Sequence, residues 1–333
     1  MTTQTVSDIS YRTAGKVAAD LLKRADPDLV MQPFLQTKPI PRNSSDTIKF
    51  RRYEALAAAT ADLTEGVTPA GSAITSTDYQ ATLAQMGDWV GITDKVADTH
   101  EDPIIKEYSD ILAKQAALSV ETRLFYIMRA ATNRYFANSD VRTDVNTTLT
   151  KTLQQKITRG FKRQNASVIT KKLSSSANME TVNVKPSFIA FVHPDIEDVV
   201  QKMAGFKDVV DYGSMVGYPT EIGSVGNVRY LTSTVFTPWA DGGGDKAGSG
   251  TTMISTTGVK ADVYPVIYIA ADCAAVTPLK GATALTPFVK NPGIVSDSDK
   301  LGQRGHIGWK TYFAALILNQ LWCAVCEVAI PEL

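Results

Sequence analysis

Cysteine, histidine and net charge are what this chain has least of. Its 333 residues hold three cysteines, Cys273, Cys323 and Cys326. That count excludes a disulfide framework and predicts a reducing compartment. The three histidines, His100, His193 and His306, each stand alone in sequence. A metal centre or an acid–base pair needs histidines to converge with carboxylates. The 34 basic and 34 acidic residues cancel, whereas a dedicated nucleic-acid binder is usually basic. Tight nucleic-acid binding is therefore not the main task. Long apolar runs are missing too: the densest, Ala314–Ile330, is broken by Asn319, Gln320 and Glu327, so no membrane helix is expected. The opening MTTQTVSDISYRTAG lacks the basic and apolar regions of a signal peptide. With 44% hydrophobic and 20% charged residues the chain is globular, and its length suits one large domain or two modest ones.

Sequence motifs for catalysis are equally scarce. The Gly-rich 240–252 stretch lacks the Gly-Lys-Ser/Thr ending of a phosphate loop. No dinucleotide fingerprint follows a strand, and no Gly-x-Ser-x-Gly elbow occurs. Ser296–Lys300 carries two carboxylates without a calcium-loop pattern. His193-Pro194-Asp195 falls at a strand-to-helix junction. Cys323 and Cys326 have CxxC spacing, but a redox pair sits at a helix start and a zinc site needs a second ligand pair. In a strand these two positions face opposite ways, so buried thiols are the reading. The expectation is no catalytic residue, no cofactor and no metal.

What the sequence has is a strut. Asp102–Phe136 contains no Gly, has its only Pro at 103, and is rich in good helix formers. Asp102 suits an N-cap with Pro103 at the first helical position. Ile105, Tyr108, Leu112, Ala116, Val120, Leu124, Ile127, Ala131 and Tyr135 recur near the helical period. A helix over 103–136 would be about 51 Å long at 1.5 Å per residue.

Around the strut lie two segments that a monomer does not readily bury. Residues 1–46 read as an arm: an amphipathic helix at Ser10–Arg24, then an extended segment set by Pro27, Pro33, Pro39 and Pro41. Its apolar Met31, Phe34, Leu35 and Ile40 must lie on this domain or on a neighbour. Residues 47–94 read as a long hairpin, with arms TIKFRRYEAL and DYQATLAQMGDWVGITD. The joining stretch, Ala57–Thr77, is too poor in large apolar groups to form a core. Long loops of this kind are usually functional, and a partner is expected to steady it. Beyond the strut, a second helix is expected at Thr152–Asn165 and strands at Phe188–Val192, Val228–Leu231, the 263–279 run and the C-terminal tail. Strands bracket helices without a βαβα repeat, which predicts an α+β class. The cluster Lys156, Arg159, Lys162 and Arg163 is open to two readings, a solvated helix face or a phosphate contact.

Several blocks resemble one family. They are LTEGVTP (63–69), MGDWVGITDKVADTHEDPIIKE (86–107), FVHPDIEDVV (191–200), AADCAAVTPLKG (270–281) and KNPGIVSDSDKLGQRGHIGWKTYFAALILN (290–319). In this order they are similar to the major capsid proteins of N-four-like phages and prophages. The regions 137–186 and 240–252 depart from that pattern. The resemblance implies the Hong Kong-97-type phage capsid fold. It divides the chain into an N-terminal arm (1–46), an E-loop hairpin (47–94), a P-domain (95–186) with its spine helix (102–136), a mainly A-domain segment (187–300) and strands returning to the P-domain (301–333).

The same resemblance implies a structural protein and not an enzyme. Such a protein assembles through hexamers and pentamers into an icosahedral shell around the double-stranded DNA of a tailed phage. Phe34, Leu35, Leu63, Glu65, Val67 and Trp89 are the assembly-contact candidates; Lys156, Arg159, Lys162 and Arg163 are the DNA-facing ones. The implied partners are further copies of the chain, packaged DNA by weak local contact, and decoration, scaffolding or portal proteins, with no membrane. The implied location is the virion capsid, assembled in the host bacterial cytoplasm. Two alternatives stand beside this: a cellular nanocompartment shell of the same fold enclosing cargo, and a soluble α+β enzyme.

Overall fold

The computed structural model describes residues 30–41, 43, 45–60, 62–63, 65–68, 70–95, 104–170, 185–212, 217–247, 252–278, 286–290, 292–293 and 299–332. The helix expected at Ser10–Arg24, the Asp102–Pro103 cap and His100 lie outside these residues. In chain order the first elements are β1 (Gln36–Thr37), β2 (Thr47–Tyr53), β3 (Ser76–Thr82), β4 (Ala84–Thr93), α1 (Ile104–Arg129), β5 (Arg134–Phe136) and α2 (Lys151–Arg163). There follow β6 (Phe188–Val192), α3 (Glu197–Gln201), β7 (Phe206–Asp208), β8 (Glu221–Val225), β9 (Val228–Thr232) and β10 (Tyr264–Ile269). The last are β11 (Ala274–Pro278), β12 (Thr286–Lys290), β13 (Arg304–Ile317) and β14 (Cys323–Val328).

Two sheets and a free hairpin result. The larger sheet has seven strands in the order β5-β14-β10-β6-β9-β8-β7. Its central strands, FIAFV, YPVIYI and CAVCEV, are buried on both faces, so they read as continuous apolar runs and not as alternation. One face packs under α2 through Leu153, Ile157 and Phe161. The other packs under α1 through Leu124, Phe125 and Met128. Cys326 belongs to the first layer and Cys323 to the second, with both thiols free and buried.

The smaller sheet has five strands and is built on β13. The first ten residues of β13 pair with β4, five of them also with β12 on the other side, and its end pairs with β11. The arm adds β1 in parallel to β11. Gly87 permits the close approach of β4 and β13: a Cβ there would lie 2.4 Å from the Trp309 carbonyl oxygen.

Helix α1 spans both sheets. Its N-terminal half, Leu112, Ala113 and Ala116, packs on Ile92, Ile307 and Trp309 of the smaller sheet. Its C-terminal half packs on the larger one. Fully burying a side chain such as Leu124 or Met128 contributes about 1.5–3 kcal/mol. Helix-period burial over Leu112, Ala116, Val120, Leu124 and Met128 thus holds two layers in one frame.

The helix is shorter at its end than the sequence suggests. It stops at Arg129, not Phe136. Thr132 N–H donates to Gln320 Oε1, Val325 N–H donates to the Asn133 carbonyl, and Arg134–Phe136 add to the sheet beside β14. Sheet hydrogen bonds and the strand preference of Tyr135 and Phe136 end the helix. The second hairpin arm also differs from expectation: it is two strands. The chain changes partner at Leu83, β3 pairing with β2 and β4 with β13.

Candidate assembly surfaces

The hairpin is tied at its base and open at its tip. Arg51 and Asp78 form a bidentate pair at 2.8 and 2.9 Å, which holds the Asp78 carboxyl below its usual range. Arg52 reaches Glu54 at 2.9 Å, and Thr77 donates to the same carboxylate. These pairs are solvent-exposed and set register more than they add stability. Beyond them every described residue of 54–75 is exposed. Leu63 is 78% and Val67 62% accessible, with Glu65 exposed between them. Gly66 takes φ +75° with no atom near its missing Cβ, so the tip turns in open space. Among the described residues this chain offers no core to those side chains.

Trp89 lies on β4 and is 58% exposed, its ring edge-on to His306 at 6.1 Å. Phe288 approaches the same imidazole at 5.7 Å. Trp89, Gly308 and Phe288 stand in one row across β4, β13 and β12. Burial and the Lys290 charge lower the His306 pKa.

The arm candidates are placed differently. Leu35 is buried in this chain's own core with Val30 and Met31. Phe34 is partly buried against Tyr218 (4.9 Å) and Phe191 (6.0 Å). Lys38 N–H and Ile40 N–H donate to Val276 and Pro278 carbonyls. Over 30–40 the arm therefore lies on its own domain. A polar group helps to fix it: the buried Glu121 of α1 accepts the Met31 N–H at 3.1 Å on Oε1, while Oε2 has no partner among the described residues. Burial pushes this carboxyl up to about 7, opposed by the Met31 and Val30 amides.

Lys156, Arg159, Lys162 and Arg163 all lie on the exposed side of α2. The helix starts at Thr150, whose side chain accepts the Leu153 N–H, and contains no acidic residue. It is keyed to the sheet by Gln154, which donates to the Val225 carbonyl and accepts from the Tyr230 hydroxyl. The sequence reading missed Ile111, Leu118 and Tyr126, which are exposed on α1. Their seven- and eight-residue spacing puts them on one face, a signal masked by the richer apolar stripe beneath.

No catalytic constellation forms among the described residues. His193 Nδ1 is 3.2 Å from Asp195 Oδ2, and the Tyr264 hydroxyl donates to that same carboxylate. This caps a helical turn, with the Asp195 N–H donating to His193. Among the described residues no three His, Cys, Asp or Glu side chains could share a metal ion.

A two-layered frame with a long spanning helix and a projecting hairpin defines a structural building block. A family profile described as phage capsid protein matches residues 76–327. The chain belongs to the phage capsid protein family; it is a structural protein of the virion capsid and not an enzyme. No curated protein sequence matches it significantly. Its fold is similar to the capsid of Ralstonia phage GP4 at TM-score 0.63 and 10% identity, over 90% of this chain and 88% of that one. It is similar to the cyanophage Pam1 capsid at TM-score 0.63 and 10% identity, over 100% and 96%. The capsid of Helicobacter pylori bacteriophage KHP30 aligns at TM-score 0.57 and 10% identity, over 89% and 87%. The α+β phage capsid fold expected from the sequence is the fold found, and a cellular nanocompartment is not favoured.

Proposed function

We propose that identical copies of this chain assemble, through hexamers and pentamers, into the icosahedral shell that encloses a tailed phage's double-stranded DNA. The observation that carries this is the 54–75 tip, which exposes Leu56, Leu63, Val67 and Ile74 on a hairpin whose base is firmly tied. Apolar side chains held out on a tether are buried at a subunit contact. A repeated weak contact of this kind gains its strength from effective concentration.

In this reading the hairpin is the E-loop and α1 the spine helix. The smaller sheet with the first half of α1 is the P-domain, and the larger sheet supplies most of the A-domain. Leu63, Glu65, Val67 and Trp89 are subunit-contact residues. Phe34 and Leu35 brace the arm from within its own subunit. Assembly takes place in the host bacterial cytoplasm, with decoration, scaffolding or portal proteins as further partners. Replacing 57–74 with a short Gly-Ser turn tests the reading. The variant is expected to stay folded and to lose shell closure by electron microscopy; closed particles of normal size from it would overturn the role given to the tip.

A further inference from the structure

Several surface cations of this chain reach carboxylates: Arg51 pairs with Asp78, Lys202 with Asp198, Lys246 with Glu332 and Lys260 with Asp245. On α2, Lys156, Arg159, Lys162 and Arg163 are exposed, and among the described residues none has an ion-pair partner. The helix sequence, KTLQQKITRGFKR, offers no acid to any of them.

Their geometry is ordered. At 100° per residue, Lys156, Arg159 and Arg163 fall within about 60° of one another, on a stripe beside the one that buries Leu153, Ile157 and Phe161. Lys162 stands at the margin of that stripe. At 1.5 Å per residue the three span about 10 Å. At the N-terminal end of the stripe, Lys156 and Arg159 rim a cavity of about 540 Å³ lined also by Phe136, Thr150, Thr152 and Leu153. The Tyr135 ring sits 5.9 Å from the Lys156 ammonium and backs that side. The site thus offers three unneutralised cations in a row, threonine hydroxyls, and room beside them. Duplex DNA carries about one negative charge per 1.7 Å of axis, and such side chains are those that contact its phosphates.

We propose that the Lys156–Arg159–Arg163 stripe and its adjoining cavity seat about three phosphates of duplex DNA. The proposal rests on the shell reading only in taking enclosed DNA as the ligand. A neutral chain with one small basic stripe holds DNA locally and releases it readily with salt.

The test is fluorescence anisotropy of the purified full chain with a 20-base-pair duplex, across a potassium chloride series. Three phosphate contacts give a slope of log affinity against log salt of about −2.7. The K156Q/R159Q variant is expected to melt like wild type, to close shells like wild type, and to bind with a slope near about −0.9. Lys300→Gln, an exposed cation away from α2, is expected to leave the slope unchanged. An unchanged slope in the double variant, or an equal loss with Lys300→Gln, would overturn the assignment. So would a double variant that binds DNA normally but no longer closes shells, which would place the stripe at a subunit contact. Failure of wild type to form particles would strike the shell reading instead, while the salt slope would still report on the stripe.

Discussion

The α1 frame and the 54–75 tip are opposite solutions within one chain. On α1, Leu124, Phe125 and Met128 are fully buried and tie two sheets together. At the tip, Leu56, Leu63, Val67 and Ile74 are exposed and, among the described residues, belong to no core. The first region spends its apolar surface on holding a subunit's shape. In the proposed shell the second keeps its apolar surface for a neighbour. A shell subunit needs both, because a rigid frame sets the geometry of closure and a yielding tip takes up the variation between contacts. Substitutions should therefore separate folding from assembly along this line.

The largest effect is expected in the frame. Leu124→Pro removes a helical hydrogen bond and clashes with the preceding turn, costing about 3 kcal/mol or more, and core packing is lost as well. The subunit is expected to be insoluble or to lose its circular-dichroism helix signal. Next comes Glu327→Ala. Glu327 is fully buried and is clamped by Arg134 at 2.6 Å and Arg142 at 2.6 and 2.9 Å. Arg142 and Arg129 also stack on Trp239, at 3.7 and 4.3 Å. Losing the carboxylate strands partly buried arginines, at about 3 kcal/mol, read as a lower urea midpoint.

A smaller, pH-dependent effect is expected where the arm meets the frame. The Glu121 carboxyl sits at about 7 in the fold against 4.5 when free. A raised folded value means that the folded chain holds this proton more tightly. Its stabilising contribution is complete below about 4.5 and is lost as pH rises through about 7. Melting temperature is therefore expected to fall between pH 6 and pH 8 in part through this group. Glu121→Gln should flatten that fall and stabilise the subunit at pH 8 by about 1–3 kcal/mol. An unchanged pH profile in the variant would remove Glu121 from the account. Smallest of all for the subunit is Leu63→Ser with Val67→Ser at the tip. Exposed substitutions usually stay within about 0.5 kcal/mol, so melting should not move while closed particles become scarce.

Much of this was legible in the chain, for physical reasons that also explain the failures. The strut was readable because its apolar period is helical and nothing interrupts it before Arg129. Its end was not, since Arg134–Phe136 leave the helix for a sheet edge supplied by residues 323–327, far away in sequence. The tip was readable from its lack of large apolar groups. The change of partner at Leu83 was not, because β3 and β4 form one unbroken strand-like run and only β13, more than two hundred residues on, divides it. The arm could be read as extended, but whether it lay at home or abroad depended on non-local bonds, from Met31 to Glu121 and from β1 to β11. The catalytic silence of the sequence was its plainest signal, since its three histidines stand apart and its CxxC spacing has no second ligand pair.

The most direct measurement is negative-stain electron microscopy of the purified chain, with its size followed by light scattering. Closed shells, or rings of six that grow into them, are the predicted result. A uniform monomer or dimer at every concentration tested would contradict the claim that this subunit's exposed tip exists to be buried by its neighbours.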